Sequence, residues 1–152
     1  MGIKVAATNR KASHNFFILD RFEAGIVLLG TEIKSVRARQ VSIAEAYVRI
    51  ENSEAWLMDA HIAPYQQAGF FNHEPARPRK LLLHKKEISR LSENVSKKGV
   101  TIIPLQMYLK NGLAKIEIAV ARGKKLYDKR QSIKKRDIQR EIDREFVQKK
   151  LS

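Results

Sequence analysis

Val100-Thr-Ile-Ile-Pro-Leu-Gln-Met-Tyr-Leu-Lys-Asn-Gly-Leu-Ala-Lys-Ile-Glu-Ile-Ala-Val-Ala121 is the stretch that decides how this chain folds. Val100 to Leu109 and Leu113 to Ala121 are strand-length runs rich in β-branched and aromatic residues. Lys110-Asn-Gly112 joins them. Asn-Gly is the strongest short hairpin signal in the chain, because both central residues of a type I′ turn need positive φ. Two long antiparallel strands must therefore lie side by side, and the remaining segments have to fit around them.

Upstream, Lys85 to Lys98 is the best helix of the body, with Ile88, Leu91 and Val95 spaced at three and four and Lys97-Lys98-Gly99 as its end. Before it, Ala46–Ile50 and Ala55–Met58 are strands around a turn at Glu51-Asn-Ser-Glu54. His61-Ile-Ala-Pro-Tyr65 continues the second of these and breaks at Pro64, and the dozen residues that follow read as an irregular loop. Phe16–Leu19 and Ala24–Leu29 read as two strands linked by Asp20-Arg-Phe-Glu23. Thr31 could cap a short helix that places Ile33 and Val36 on one face. Residues 1–12, polar and basic, read as a mobile arm. The body, residues 13–121, is thus mainly antiparallel β with one or two helices, and hairpins at this spacing suggest a small closed or partly closed barrel.

Residues 122–152 differ in kind. They carry twelve basic residues against five acids, half of the chain's net charge of +14. Arg136, Arg140 and Arg144 recur at i+4, as do Asp137, Glu141 and Glu145, and Ile138, Ile142 and Phe146. These three columns fit one helix, but an isolated helix of this length is marginal in water. Between Arg122 and Arg136 eight basic residues face a single acid, Asp128, so mutual repulsion should keep the segment open until a polyanion neutralises it.

Composition excludes several function classes. A chain of 152 residues makes one domain. Without cysteine it has no disulfide, thiolate metal site or cysteine nucleophile. The N-terminus lacks the apolar core of a signal peptide, and no apolar run approaches the roughly 20 residues of a membrane span, so a cytoplasmic protein is expected. The basic excess points to a phosphate polymer, because bound lysines and arginines release its counterions. A membrane surface would want a broader apolar helix face than the tail offers.

No metal, cofactor or catalytic site is expected. His14, His61, His73 and His84 lie in separate segments without metal-ligand spacing, and no nucleophile elbow or phosphate-binding glycine loop occurs. Acids on helices are surface pairs by default, although an RNA-processing enzyme with paired carboxylates is left open by spacing alone. Arg77, Arg79 and Lys80 run straight into an apolar strand, which suits phosphate contact from a rigid edge. Glu23 and Glu32 stand out as acids at strands or strand ends. Each reads either as one half of a salt bridge or as a carboxylate meeting RNA directly.

Six motifs then carry a resemblance. Asn9-Arg-Lys-Ala, Phe22-Glu-Ala-Gly-Ile, Gly30-Thr-Glu-Ile-Lys-Ser, Ile62-Ala-Pro-Tyr, Arg79-Lys-Leu-Leu-Leu-His-Lys and Ala121-Arg-Gly-Lys-Lys-Leu-Tyr-Asp-Lys-Arg resemble, in order and spacing, the SsrA-binding protein family, SmpB. The resemblance implies an oligonucleotide-binding (OB) barrel and a basic tail. It implies a monomeric, non-enzymatic adaptor that binds the tRNA-like domain of tmRNA and carries it to stalled ribosomes in trans-translation. Through tmRNA, alanyl-tRNA synthetase and elongation factor Tu become indirect partners. On this basis Asn9, with Arg10 and Lys11 beside it, Glu23 and Leu82 belong to the tmRNA-binding surface, while Glu32 stays open between a structural and an RNA-contacting role. The resemblance also implies that the tail enters the empty mRNA channel of the small subunit near the decoding centre. Gly123, Lys124, Lys125, Tyr127, Asp128, Lys129, Arg130, Lys134, Lys135, Arg136 and Arg140 would serve there, with Tyr127 placed to stack on an unpaired base.

Overall fold

The computed structural model describes residues 2–124 together with Arg140. In chain order its elements are β1 (Ile3–Thr8), α1 (Ala12–Asn15), β2 (Phe16–Ile26), α2 (Gly30–Arg37), β3 (Val41–Ser42), β4 (Tyr47–Glu51), β5 (Glu54–Met58), β6 (His61–Ile62), a 3₁₀ segment (Gln66–Phe71), β7 (Arg79–Leu82), α3 (Lys85–Val95), β8 (Val100–Lys110) and β9 (Leu113–Gly123). The hairpin expected from Asn111-Gly112 is present as β8–β9, and both turn residues take positive φ, 53° and 79°. Asn52 and Ser53 do the same between β4 and β5.

The two long strands organise the rest. β8 pairs with β9 along its length, β9 pairs with β2, and β2 reaches β7, β5, β4 and so β8 again. Every pairing in this ring is antiparallel, so the sheet closes on itself as an OB-like barrel. Alternation fills the interior: Ile116, Ile118 and Val120 of β9 meet Phe22 and Ala24 of β2, Val48, Leu57 and Leu81 of the short strands, and Ile102 and Met107 of β8. Leu91 of α3 and Val36 of α2 join this core, and both are fully buried. A second, smaller cluster (Ala12, Ile103 and Ala121) seats α1 on the other side of β8 and β9.

Several expectations need correction. Residues 1–12 are not a mobile arm throughout, since Ile3–Thr8 pair with residues 106–110 of β8 as the edge strand β1. β4 occupies β8 only at Ile102, so the rest of that edge would otherwise leave its backbone groups unpaired. The strand was hard to read because Ile3, Lys4 and Val5 are all exposed, so its burial does not alternate as it does in a core strand. β2 is one eleven-residue strand rather than two, with a bulge between Ile18 and Asp20. Arg21 and Glu23 are its outward positions, between the inward Phe22 and Ala24. Asp59, at φ 58°, ends β5, and His61–Ile62 pairs instead with β3. α2 begins at Gly30 with Leu29 at its N-cap, so Thr31 lies inside the first turn and does not cap it. α3 stops at Val95 rather than Lys98, and Gly99 turns the chain with φ 78°. The body runs beyond Ala121, because Arg122 and Gly123 still pair with Phe17 and Phe16.

Candidate nucleic-acid interface

Strand register assembles an outer face from residues far apart in the chain. Leu82 of β7 pairs with Gly25 of β2, Gly25 with Lys115 of β9, Lys115 with Tyr108 of β8, and Tyr108 with Val5 of β1. The next row in the same pleat runs Glu23, Glu117, Gln106, Thr8. Residues two apart on a strand share a face, so Glu23, Gly25, Leu82, Tyr108 and Lys115 lie on one surface. Glu23, Gly25, Leu82, Leu83, His84, Glu87 and Lys115 line a shallow depression of about 330 Å³ there.

Glu23 is the polar centre of this face. Tyr108 Oη donates to Glu23 Oε2, and Lys110 Nζ lies 3.8 Å from Oε1. The Tyr108 hydrogen bond, ahead of the charges of Lys110 and Lys115, holds the Glu23 carboxyl below the ordinary carboxylate range. Burial, together with the negative charge of Glu23, pushes the Tyr108 phenol up, so it stays a neutral donor. Glu23 keeps 43 % of its side chain in solvent. A carboxylate has about four acceptor sites, and Tyr108 occupies only one of them. What remains is an ionised, oriented acceptor facing outward.

Leu82 supplies an apolar neighbour, 54 % exposed although it follows the fully enclosed Leu81. Gly25 allows this closeness. A Cβ at position 25 would stand 3.3 Å from Leu82 Cβ, so any larger residue would crowd Leu82. Lys110 and Lys115 add positive charge close to Glu23, both toward the Gly25 end of its row.

The structure separates the other candidates. Arg79 does not face a phosphate: its side chain is fully buried (0 % exposed), and this overturns the expected phosphate contact. Its Nε donates to Glu32 Oε2 at 2.6 Å, Nη1 to the Ala60 carbonyl at 2.7 Å and Nη2 to the Pro75 carbonyl at 3.0 Å. Arg77 turns toward the same carboxylate, donating from Nε to Oε2 at 3.1 Å and from Nη2 to Oε1. Glu32 also accepts the Leu29 backbone N–H at 2.8 Å. Burial alone would push the Glu32 carboxyl up, but the hydrogen bonds from Arg77, Leu29 and Arg79 outweigh it and hold the carboxyl low. Glu32 is therefore structural, and a long side chain pointing inward explains why Arg79 misleads when read from the sequence alone. Lys80 remains half exposed, 3.9 Å from Glu54.

Asn9 is nearly enclosed as well. Its backbone N–H donates to the Leu105 carbonyl at 2.7 Å, and its side-chain amide donates to the Pro104 carbonyl at 3.0 Å. It thereby closes the gap in the β8 edge between the pairings with β4 and β1, beside the bulge at Pro104/Gln106. Arg10 and Lys11, both exposed, leave from the end of β1, just beyond Thr8 in the Glu23 row. Gly123 ends β9. Lys124 donates its backbone N–H to the Asn15 carbonyl at 2.8 Å and its Nζ to the Ser13 carbonyl at 2.9 Å. Arg140 is exposed, and Lys125, Tyr127, Asp128, Lys129, Arg130, Lys134, Lys135 and Arg136 lie outside the described residues.

Tyr108, Lys110 and Lys115 were missed as members of the face. Period-two alternation along the long hairpin could have marked them as outward, but not as neighbours of Glu23, which depends on β2 lying against β9.

Known proteins are similar to this chain over most of its length. A family model described as SmpB protein matches residues 6–148. The SsrA-binding protein of Roseiflexus castenholzii is 59 % identical over 142 residues, covering 93 % of this chain and 90 % of that one. The SsrA-binding protein of Caldanaerobacter subterraneus subsp. tengcongensis is 53 % identical over 149 residues, covering 98 % and 94 %. A solved structure described as "tmRNA-SmpB: a journey to the center of the bacterial ribosome" superposes with a TM-score of 0.69 at 43 % identity, covering 83 % of this chain and 92 % of that one.

Proposed function

This chain belongs to the SmpB family of SsrA-binding proteins, and from that premise we propose that it binds the tRNA-like domain of tmRNA and delivers it to stalled ribosomes in trans-translation. The observation that carries the reading is the outer face shared by Glu23 and Leu82, with Lys110 and Lys115 close to the carboxylate. An ionised carboxylate with free acceptor sites suits base amino groups and ribose 2′-hydroxyls. Leu82 packs on the apolar side of a sugar or base, and the lysines draw in the phosphates. Arg10, Lys11 and Lys80 extend the basic rim, Arg77 contributes at most its partly exposed edge, and Asn9 positions the Arg10-Lys11 corner from behind. No chemical step is assigned to these groups: the role is that of an adaptor, exercised in the cytoplasm where ribosomes work.

The tail supplies the second contact. Gly123 to Arg140, through Lys124, Lys125, Lys129, Arg130, Lys134, Lys135 and Arg136 with Tyr127 and Asp128, enters the empty mRNA channel of the small subunit toward the decoding centre. Basic residues spread along a single segment can neutralise phosphates on a narrow RNA-lined path that a folded domain could not enter. Alanyl-tRNA synthetase and elongation factor Tu are reached only through tmRNA.

Sequencing the RNA that copurifies with the chain tests the first half, and tmRNA should dominate it. A chain ending at Lys124, which keeps β9 complete, tests the second. It should bind tmRNA like the full chain yet fail to support tagging on stalled ribosomes. Tagging by the shortened chain would remove the tail from the mechanism.

A further inference from the structure

Phe70 and Phe71 are the two most exposed large apolar side chains in the described residues, at 104 % and 89 %. They sit at the tip of a loop whose neck is closed. Asn72 Oδ1 accepts the Tyr65 N–H at 2.8 Å, while its Nδ2 donates to the carbonyls of Tyr65 at 2.8 Å and Gly69 at 3.3 Å. Lys34 Nζ lies 5.1 Å from the centre of the Tyr65 ring, and His73 bonds Thr31 Oγ1 and the Ile62 carbonyl, both at 2.8 Å. Gly69, at φ 57°, makes the bend that turns the two rings outward. The aromatics are thus held away from the core by the local hydrogen bonding.

We propose that Phe70 and Phe71 form a stacking finger for unpaired bases of an RNA. The reading rests on RNA being the partner, as proposed above, but it uses a loop separate from the Glu23–Leu82 face. The chemistry of the loop selects this occupant. From Tyr65 to His73 there is no lysine, arginine, aspartate or glutamate, so the tip itself offers phosphates neither an ammonium or guanidinium nor a repelling carboxylate. What it presents is two π faces, with Gln66 and Gln67 amides close by in the chain, and every base has a face to stack and edges for an amide. The electrostatic attraction comes from elsewhere on a chain of net charge +14.

The test measures binding of full-length protein to two probes, the isolated tRNA-like domain of tmRNA and purified 70S ribosomes, which distinguishes the two sources of unpaired bases. Replacing both residues by alanine should weaken binding to one probe by about fivefold or more, the lower end for losing one base stack. The slope of log affinity against log salt should not change, because no phosphate contact is lost. Replacing both by tryptophan should keep affinity, and replacing both by leucine should not restore it. Thermal midpoints should match across the set, since neither ring is part of the core. Alanine variants that bind both probes like the parent would overturn the finger, as would rescue by leucine, which would mean a greasy contact without stacking. A parent chain that bound neither probe would overturn the functional reading itself, and this inference with it.

Discussion

Glu23 and Glu32 look alike in the sequence, each an acid close to apolar strand residues with basic residues to pair with, yet the fold uses them in opposite ways. Around Glu32, four donors meet the four acceptor sites of one carboxylate: the Leu29 N–H, two groups of Arg77 and one of Arg79. Nothing is left to offer a ligand. Around Glu23 one phenol donates, one lysine stands at 3.8 Å, and the remaining acceptor sites face water. The contrast teaches that a charged residue is available for function when its partners leave it unsaturated. Being charged, or having a salt bridge, does not decide the matter. Glu32 locks α2 to the segment entering β7, whereas Glu23 is presented on the rigid outer face of β2.

Removing Glu32 should break this contrast most severely. Glu32→Ala leaves the Arg79 guanidinium buried without its counter-charge, and loss of one partner of such a pair costs about 3–5 kcal/mol. The unfolding free energy from urea denaturation should fall by that amount, and an unchanged value would return Glu32 to the surface. Acid should expose the same pair. The folded-state Glu32 carboxyl titrates below its ordinary value of 4.5, so its contribution is complete above 4.5 and is lost as pH falls through the lower folded value. Stability of the parent should therefore drop more steeply below pH 4.5 than that of Glu32→Gln, which already lacks the ionised group.

Glu23→Ala should separate binding from folding. Glu23 is exposed and its lysine contact is a surface pair, so the main cost to folding is the hydrogen bond lost by Tyr108, about 1 kcal/mol and well short of the Glu32 loss. Affinity for the tRNA-like domain should fall roughly tenfold, the size of losing one hydrogen bond to a charged group. Equal losses in stability and binding would make Glu23 a second Glu32. The smallest effect is expected from Gly25→Ala. Its methyl would push against Leu82 Cβ at 3.3 Å. A shift of that side chain should weaken binding severalfold at most, while Leu82→Ala in the same background should add little further, because the two act on one contact.

The hairpin β8–β9, the hairpin β4–β5 and the helix α3 were legible because each is a local signal: a turn dipeptide, an alternation, a three-four spacing. β1 was not legible, because an edge strand with Lys4 and Thr8 facing solvent carries little apolar periodicity. Arg77 and Arg79 read as a basic pair bound for phosphate, and only the path of α2 past the start of β7 turns both onto Glu32. Asn9 was legible as a member of a motif. Its enclosure against Pro104 and Leu105 was not, because those carbonyls are freed by a bulge at a distant point in the chain.

By itself, the amino-acid sequence determined the family and the mainly antiparallel β character of the body. Charge balance, turn residues and ordered motifs are properties of short stretches and survive without any knowledge of neighbours. Tertiary structure alone decided which carboxylate is free, which arginines are buried, and that Leu82, Gly25, Lys115, Tyr108 and Val5 form one row across five strands. A one-residue slip in any of those registers would turn the row to the other face. Register is fixed by packing on the shared core, so the candidate site is assembled only once these five strands have paired.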